Sequence, residues 1–444
     1  MSLVSLLSLE TALALSGVYV LYSVIAGKLM SPLRNVPGPW YCALSGLPYK
    51  LYASKGVHLE WMQRLHETYG LVVRIAPGVV SVRDVDTAHA IYSTHKFLKG
   101  PFYSSFDVTG VPNIFSTRDP GVSKIRRKLT IPMFTGAAVE EMDEMIMSAG
   151  IRPLLRRLRK HAEAGDSVNL MQLFHYMTFD VVGDILFGRN FNLMEDDNGG
   201  DNAIAWLSGM CKIGIYASVG DMQAEAEYSF GPLANKWFMP KLAECERKLT
   251  NIAGDMIMQL FAGTDTTATC CTWTTYLLSI TPHARHRLLQ ELKEAIPDVN
   301  TEITHSMVRD LPYLNAVINE SFRLRPVAGG SSHRLIPKGG VVFCNTYIAE
   351  NLWDEPMAYK PERWLIEDEE RLGKMRRTLF PFSMGVRACI GRDLAWMELR
   401  VALASLFRYF EPEVLPGDDM TPIFNLVIGP RGKALTARLT QRTE

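Results

Sequence analysis

Apolar residues recur along most of this chain with the spacing of helices, and only two short passages have the pattern of strands. Residues 251–280 are apolar on most sides, which predicts one long and largely buried helix. Residues 311–326 carry their apolar side chains on one helical face. Residues 71–82 and 339–348 predict short strands. Because no stretch resembles an interdomain linker, we expect one large domain that is mainly α with small β-sheets (α+β).

The first residues of the chain form a separate apolar segment. Residues 3–27 are apolar except for Glu10 and some hydroxyl and glycine positions, and they are long enough to span a bilayer. Positive residues follow this segment, so we expect an uncleaved transmembrane anchor with the rest of the protein in the cytosol. Residues 28–40 are proline-rich and predict a hinge, with an ordinary loop as the alternative. Residues 41–444 remain as the main domain.

Charge and cysteine content exclude several function classes. The 444 residues include 47 Lys and Arg and 47 Asp and Glu, so no net field attracts nucleic acid. The seven cysteines are scattered and form no CxxC pair, which argues for a reducing compartment and against a zinc site or a disulfide scaffold. The usual motifs of phosphate cradles, zinc proteases and serine hydrolases are missing from the sequence.

The long helix contains the polar sequence "AGTDTT" at residues 262–267. Gly263 weakens a helix by about 1 kcal/mol relative to alanine, and threonine hydroxyls can bind the carbonyl four residues back. One interpretation is a kinked core helix whose polar groups are satisfied internally. The other is a groove over a reacting small molecule, in which Asp265 and Thr266 relay protons.

A second group of charged residues comes from two separated segments. Glu320 and Arg323 are three residues apart on one helical face, which is typical of a surface ion pair. Arg363, in "KPERW", offers a second guanidinium group. A buried glutamate between two arginines would form a network that fixes the chain leading to the last cysteine. A solvated turn is the alternative.

The sequence "FPFSMGVRACIG" at residues 380–391 holds the most specific pattern, FxxGxRxCxG. It is formed by Phe382, Gly385, Arg387, Cys389 and Gly391. A lone cysteine is most often a small buried apolar residue, but that interpretation explains neither the glycines nor the arginine. A thiolate bound to haem iron explains all of them, because backbone N–H groups can tune the sulfur and Arg387 can bind a haem propionate.

With "AGTDTT", "ESFR", "PERW" and "FSMGVRACIG" in this order, the chain resembles the cytochrome P450 family over nearly its whole length. The N-terminal segment and "VPGPW" are similar to membrane-bound microsomal members. The stretches "YGLVVRIAP" and "ACIGRDLAWMELR" resemble the fungal branch that acts in secondary metabolism.

The resemblance implies a role for each motif. Cys389 would be the axial thiolate ligand of a haem b iron, and Asp265 and Thr266 would deliver protons to dioxygen. Glu320, Arg323 and Arg363 would form a structural triad. The other expected cofactor contacts are Phe382, Gly391 and the groove residues Ala262 and Gly263, with Arg387, Arg127 and Arg334 at the propionates.

The resemblance also points to substrate contacts in four places. They are the loop 100–110, the helix face at Phe261, residues 327–330 and residues 424–427. The named candidates are Phe102, Tyr103, Phe106, Phe261, Val327 and Phe424. These side chains suit a lipophilic substrate, although a loop with three aromatic residues is more often packed in the core.

The implied function is a haem-thiolate monooxygenase that inserts one oxygen atom from O₂ into a lipophilic small molecule, such as a fungal terpenoid, polyketide or alkaloid. The chain has no flavin or nicotinamide motif, so we expect electrons from NADPH-cytochrome P450 reductase. The basic residues Arg371, Lys374, Arg376 and Arg377 could dock it or could be a solvated face. The expected location is the endoplasmic reticulum membrane, with one spanning helix and the catalytic domain in the cytosol.

Two places differ from the family pattern. A polar stretch is missing between residues 250 and 251, before the long helix, and a hairpin is missing between residues 334 and 335. The second junction directly follows Arg334, so we expect lost strand pairing beside the haem. The alternative function is therefore a haem-binding or non-functional remnant. An oxygen-independent isomerase is less favoured because Asp265 and Thr266 are both present.

Overall fold

The computed structural model describes residues 31–94, 96–107, 111–195, 251–328, 333–336, 340–344 and 353–444, together with Thr11, 14–19 and 21–22. The predicted anchor, 3–27, therefore lies largely outside the described residues. In the part of the chain that is described, no helix is both long enough and apolar enough to cross a bilayer. Residue 250, on one side of the first predicted junction, also lies outside the described residues.

Helices are the main secondary structure of the described chain, and the mainly α architecture with small sheets is confirmed. In chain order they are α1 (Leu47–Ser54), α2 (His58–Tyr69), α3 (Val85–Tyr92), α4 (Pro120–Thr130), α5 (Gly136–Glu141), α6 (Asp143–Ile146), α7 (Arg152–Ala164), α8 (Leu170–Phe187), α9 (Asn251–Ser279), α10 (Pro282–Ala295), α11 (His305–Val308), α12 (Pro312–Leu324), α13 (Glu369–Thr378) and α14 (Arg392–Tyr409).

The strands form three small sheets. They are β1 (Val72–Ala76), β2 (Val79–Val82), β3 (Ser167–Asn169), β4 (His333–Ile336), β5 (Gly340–Cys344), β6 (Phe410–Val414), β7 (Pro422–Asn425), β8 (Val427–Pro430) and β9 (Thr436–Gln441). One sheet has the order β1-β2-β5-β4, the second β3-β9-β6, and the third pairs β7 with β8. The two strand-like passages of the sequence thus become β1, β2 and β5.

The first sheet is paired across the second predicted junction. Strand β4 contains both Arg334 and Leu335 and pairs antiparallel with β5, with Arg334 opposite Val342. Strand β5 in turn pairs parallel with β2. Strand β4 therefore keeps its pairing with β5 across this junction and, within the described residues, lies at the edge of the sheet.

The predicted hinge, 28–40, is fastened to the first sheet over its described part. The amide of Arg74 in β1 donates to the carbonyl of Pro37 at 2.8 Å. A β-carbon on Gly38 would lie 2.5 Å from the carbonyl oxygen of Arg74, so only glycine allows the chain to pass so close to the strand. The chain therefore lies against β1 before it enters α1.

The helices α8 and α9 pack along each other in the main core. The side-chain oxygen of Asn169 accepts from the amide of Gln172 and caps α8 at its start, while Gly188 ends it in a left-handed conformation. In the second half of α9, Thr272 and Thr274 donate to the carbonyls four residues back. These bonds satisfy two buried hydroxyls inside the helix, whereas Oγ1 of Thr264, within the polar motif, is buried without a hydrogen-bond partner.

Candidate active site

The loop before α14 holds Cys389 in a tight turn. The amide of Cys389 donates to the carbonyl of Phe382 at 2.8 Å. Gly385 has a φ of 63°, and a β-carbon there would lie 2.5 Å from the carbonyl oxygen of Tyr92 at the end of α3. Gly391 follows and caps the start of α14. The glycines of the motif therefore allow a close approach and a sharp turn, which place the cysteine just before a helix.

The sulfur of Cys389 has a mixed environment. Burial by the surrounding protein raises the pKa of its thiol, while the backbone N–H of Gly391 and the positive charges of Arg127 and Arg392 lower it. Water can nevertheless reach the residue, which is exposed. The protein therefore surrounds the thiol but leaves it accessible to a ligand. The N–H of Gly391 and the charges of Arg127 and Arg392 would stabilise a negatively charged sulfur.

The middle of α9 has a matching opening. Ala262 is exposed, although Phe261 before it and Thr264 after it are buried. Thr266, one turn later, is half-buried, and its hydroxyl donates to the carbonyl of Ala262 at 2.6 Å. The side of α9 that carries Ala262 and Thr266 is thus the side where a small molecule has room. Since α14 packs against α9, this opening and the cysteine loop belong to one core.

Gly263 lies against α8. A β-carbon at this position would lie 2.8 Å from Cγ2 of Val182. We expected Gly263 to shape the groove together with Ala262, but the structure places it in the contact between α8 and α9. The glycine of "AGTDTT" allows the two helices to approach closely.

Asp265 also contacts α8. Its Oδ1 lies 2.9 Å from Nε2 of His175. One turn further along α8, the hydroxyl of Thr178 donates to the carbonyl of Thr264 at 3.0 Å. Nothing local in the sequence marks His175, which lies in an apolar helix. Its spacing from Thr178, three residues, is the one signal that both lie on the same helical face.

Glu398 was also missed. It lies in α14, is 1% exposed, and burial raises the pKa of its carboxyl to about 8, which a hydrogen bond with Thr267 opposes. A single acidic residue within the apolar run of α14 is the sequence signal that could have indicated it. At neutral pH this carboxyl keeps its proton beside the "AGTDTT" segment.

The Glu320 network is buried. Glu320 is fully shielded from solvent and accepts from Arg323 at 2.8 and 2.9 Å, from Arg363 at 3.0 Å and from Nε1 of Trp364 at 3.0 Å. Both arginines also donate to the carbonyl of Ala358. The structure thus brings the three predicted residues together as a buried cluster, which ties α12 to the chain leading toward the cysteine loop.

Two of the three predicted propionate partners lie near the cysteine loop. Arg387 donates to the hydroxyl of Ser123 in α4. Arg127, also in α4, is half-buried; burial lowers its pKa, while the nearby Cys389 raises it. Arg334 lies in β4, and its side chain lies outside the described part. Helix α4 therefore supplies Arg127 beside the cysteine, and its Ser123 binds Arg387 of the cysteine loop.

The predicted substrate residues are mostly packed in the core. Phe102, Tyr103 and Phe106 are buried and contact one another edge to face. Phe261 and Val327 are buried in the same core. Phe424 lies in a different cluster, with its ring 4.7 Å from that of His58. The structure thus supports the packed alternative for the aromatic loop, and it does not bring Phe424 together with the others.

The predicted basic run is largely paired. Arg371 contacts Asp354, Lys374 contacts Glu370, and Arg377 contacts Asp86. These acidic partners reduce the positive field that was expected on α13.

By contrast, α4 exposes Lys124 and Lys128 beside the cysteine loop.

The donor set fits a haem. An accessible thiol with an N–H donor and two guanidinium groups can hold an iron and a propionate, and Ala262 of α9 is exposed. The comparisons with known proteins agree with this fit. The sequence profile described as Cytochrome P450 matches residues 35–214 and 244–437.

Three similar curated proteins are fungal. Cytochrome P450 monooxygenase atr2 of Stereocaulon alpinum is 27% identical over 92% of this chain and 90% of its own length. ABA2 of Pyricularia oryzae, also a cytochrome P450 monooxygenase, is 28% identical over 88% of this chain and 86% of its own. Cytochrome P450 monooxygenase astJ of Aspergillus oryzae is 27% identical over 89% of each.

The alignments also bear on the length of the chain. The alignment with atr2 has 462 positions, more than the 444 residues of this chain, so gaps open in this chain where the relative has residues. The match still extends through most of both proteins. With its profile match covering most of the sequence, the chain belongs to the cytochrome P450 family.

Proposed function

We propose that this protein is a haem-thiolate monooxygenase, which inserts one oxygen atom of O₂ into a lipophilic small molecule of fungal secondary metabolism. The observation that carries the proposal is Cys389, an accessible thiol surrounded by protein just before α14. The names of the fungal relatives support the monooxygenase activity.

The residues around the cysteine would hold the cofactor. Cys389 would bind the iron as a thiolate, since a metal ion takes the place of the thiol proton. Gly391 donates its N–H to the sulfur, and Arg127 adds a positive charge. Arg387 and Arg127 would bind the propionates. When bound, a thiolate-ligated haem supplies the activation of dioxygen.

Asp265 and Thr266 would move protons on the α9 side. The hydroxyl of Thr266 donates to Ala262 in this structure and lies beside the open part of the helix. It can turn its proton toward a bound molecule and accept another in exchange, because a hydroxyl both donates and accepts. Asp265, the neighbouring residue, is the nearest acid along the helix. Glu398, protonated at neutral pH, is a second proton store near Thr267.

The test of the proposal is a spectrum. The purified protein is reduced and treated with carbon monoxide, and we expect the absorption of a thiolate-ligated haem. Cys389→Ala should lose it, while Cys42→Ala, at a buried free cysteine in a different core cluster, should keep it. A wild-type protein that takes up no haem would overturn the proposal.

The partner and the location belong to the same proposal. Electrons would come from NADPH-cytochrome P450 reductase, and residues 3–27 would anchor the protein in the endoplasmic reticulum membrane. Deleting residues 3–27 should release the protein from washed microsomes while its carbon monoxide spectrum stays unchanged. Retention of the truncated protein in the membrane pellet would contradict this anchor.

A non-functional remnant is not favoured. Strand β4 is paired across the second junction, and the buried Glu320 network is complete. A chain that had lost the support of its haem site would not be expected to keep both. Sequencing the transcript tests whether the shortened segments belong to the mature message.

A further inference from the structure

His175 is a buried residue of α8 whose side chain contacts the central helix. It is 5% exposed, and its Nε2 lies 2.9 Å from Oδ1 of Asp265. The proposed function uses Asp265 but gives no role to His175. A buried histidine in contact with this acid can affect both the position and the protonation of its carboxyl group.

The hydrogen bonds determine how many protons the pair holds. Nδ1 of His175 lies 2.7 Å from the carbonyl oxygen of Met171. A carbonyl only accepts, so Nδ1 carries a hydrogen. Nε2 and Oδ1 of Asp265 then share one proton, either as imidazolium with carboxylate or as neutral imidazole with carboxylic acid. In both forms, a single proton lies between the two residues.

The geometry of this pair is set by rigid packing. Thr178, three residues after His175, donates to the carbonyl of Thr264, and Val182 lies against Gly263. These contacts follow one face of α8 and meet consecutive positions of α9. The distance between His175 and Asp265 is therefore fixed by two helices of the core, and neither residue lies on a loop.

We propose that His175 is a positioning residue, which holds the carboxyl of Asp265 against α8 and keeps it supplied with one proton. This inference rests on the proposed function. When Asp265 turns toward the groove as a carboxylic acid, the imidazole stays neutral with an open lone pair on Nε2. One proton from water then restores the pair. The side chain of Asp265 is 22% exposed and that of His175 is 6% exposed, so water reaches the pair from the Asp265 side.

The first experiment measures the shared proton directly. The protein is labelled with ¹⁵N in histidine only and studied by NMR in the reduced, carbon monoxide-bound form, which is diamagnetic. The signals of His175 are those lost in His175→Gln. Asp265→Asn should move its Nε2 signal in either form of the pair, because the ring loses its added proton in one form and the strong hydrogen bond from a carboxylic acid in the other. An unchanged signal would overturn the proposal, and a preparation without haem is diamagnetic too, so the hydrogen bond is measured in either case.

A second buried histidine provides the matched control. His66 also has Nδ1 2.7 Å from a carbonyl oxygen, that of Gly70, but its Nε2 contacts the hydroxyl of Ser81 and no carboxyl group. Its ¹⁵N signals should not change in Asp265→Asn. A shift at His66 as large as that at His175 would mean that the substitution disturbs the whole fold, and would overturn the assignment of a shared proton.

The second experiment separates positioning from a structural role. The assay is a system reconstituted with the reductase. In it, His175→Phe should keep the carbon monoxide spectrum and should release about tenfold more hydrogen peroxide per NADPH. This effect is smaller than the rate effect of a group that itself transfers the proton, because His175 acts through Asp265. His175→Gln can hold Asp265 but cannot exchange a proton, and should fall between Phe and wild type. Peroxide release equal to wild type in both variants would overturn the inference. Loss of the spectrum in wild type would instead overturn the proposed function.

Discussion

Gly263 and Val182 approach so closely that a β-carbon at position 263 would lie 2.8 Å from Cγ2 of the valine. Gly263→Ala should therefore destabilise the protein. The gain in helix propensity, about 1 kcal/mol, is opposed by overpacking that typically costs about 1–3 kcal/mol. The measurement is thermal unfolding of the haem-loaded protein. A double-mutant cycle with Val182→Ala should show that the two substitutions together cost less than their sum.

The control for this prediction is another helical glycine. Gly373, in α13, has nothing within 4 Å of where a β-carbon would lie. Gly373→Ala should stabilise the protein slightly, by up to about 1 kcal/mol. If Gly263→Ala stabilises the protein as much as Gly373→Ala, then the contact with Val182 does not limit this position.

The sequence alone supports the fold class and the order of the motifs, because helical periodicity and motif spacing depend only on residues that are close together in the sequence. It does not show why Gly263 is needed, since Val182 is 81 residues away in sequence and belongs to another helix. The pair of His175 and Asp265 is hidden for the same reason. Local patterns identify the residues of the site, but the packing of α8 on α9 assigns their partners.

Burial is the other quantity that the sequence left open. A spacing of three residues predicts an ion pair between Glu320 and Arg323, but it does not distinguish a surface pair from a buried one. In the structure Arg363 comes from a segment 43 residues after Glu320 in the chain and closes the cluster. The register of β2 beside β5 likewise joins residues about 260 apart, beyond any local pattern.

Substituting Glu320 should have a large effect. Glu320→Gln keeps the volume but leaves two buried guanidinium groups without their carboxylate, and removing one partner of a buried ion pair costs about 3–5 kcal/mol. We expect little soluble, haem-loaded protein, measured as the yield of the carbon monoxide spectrum per milligram. Glu370→Gln is the matched control, because its pair with Lys374 is exposed and is worth at most about 0.5 kcal/mol. Equal yields from the two variants would show that the buried cluster does not hold the fold.

Glu398 should make stability fall as pH rises. The pKa of its carboxyl is 4.5 in the absence of burial, as in the unfolded chain, and burial raises this pKa to about 8 in the folded protein. Between these two pKa values the folded state binds one more proton than the unfolded state. The stability that this carboxyl contributes is therefore fully present below the unfolded pKa and is lost as the pH rises toward the folded pKa. The slope for one proton is about 1.4 kcal/mol per pH unit.

Replacing Glu398 by glutamine should remove this slope. Relative to wild type, Glu398→Gln should gain unfolding free energy as the pH is raised from about 5.5 to about 7.5, by up to about 2–3 kcal/mol. Urea unfolding at the two pH values measures the difference. Glu367→Gln, at an exposed position, should show no such gain. A constant difference between Glu398→Gln and wild type at both pH values would mean that the carboxyl is already ionised in the fold.

The exposed face of α4 should be where the reductase docks. Lys124 and Lys128 are exposed there, next to Ile125 and Leu129, which are 64% and 73% exposed. This helix contacts the cysteine loop through Ser123, so a partner on it lies close to the proposed haem. An apolar centre with basic residues beside it suits a partner with an acidic docking face.

The double variant Lys124→Glu and Lys128→Glu should slow the first electron transfer, measured as the rate at which the carbon monoxide complex appears after mixing with reductase and NADPH. We expect about a tenfold decrease at low ionic strength, because electrostatic steering acts mainly on association. The decrease should shrink at about 0.5 M salt, where charges are screened within a few ångströms. The matched control is Arg371→Glu with Lys374→Glu, whose positive charges already contact Asp354 and Glu370. A larger decrease in this control would place the docking surface on α13 instead of α4.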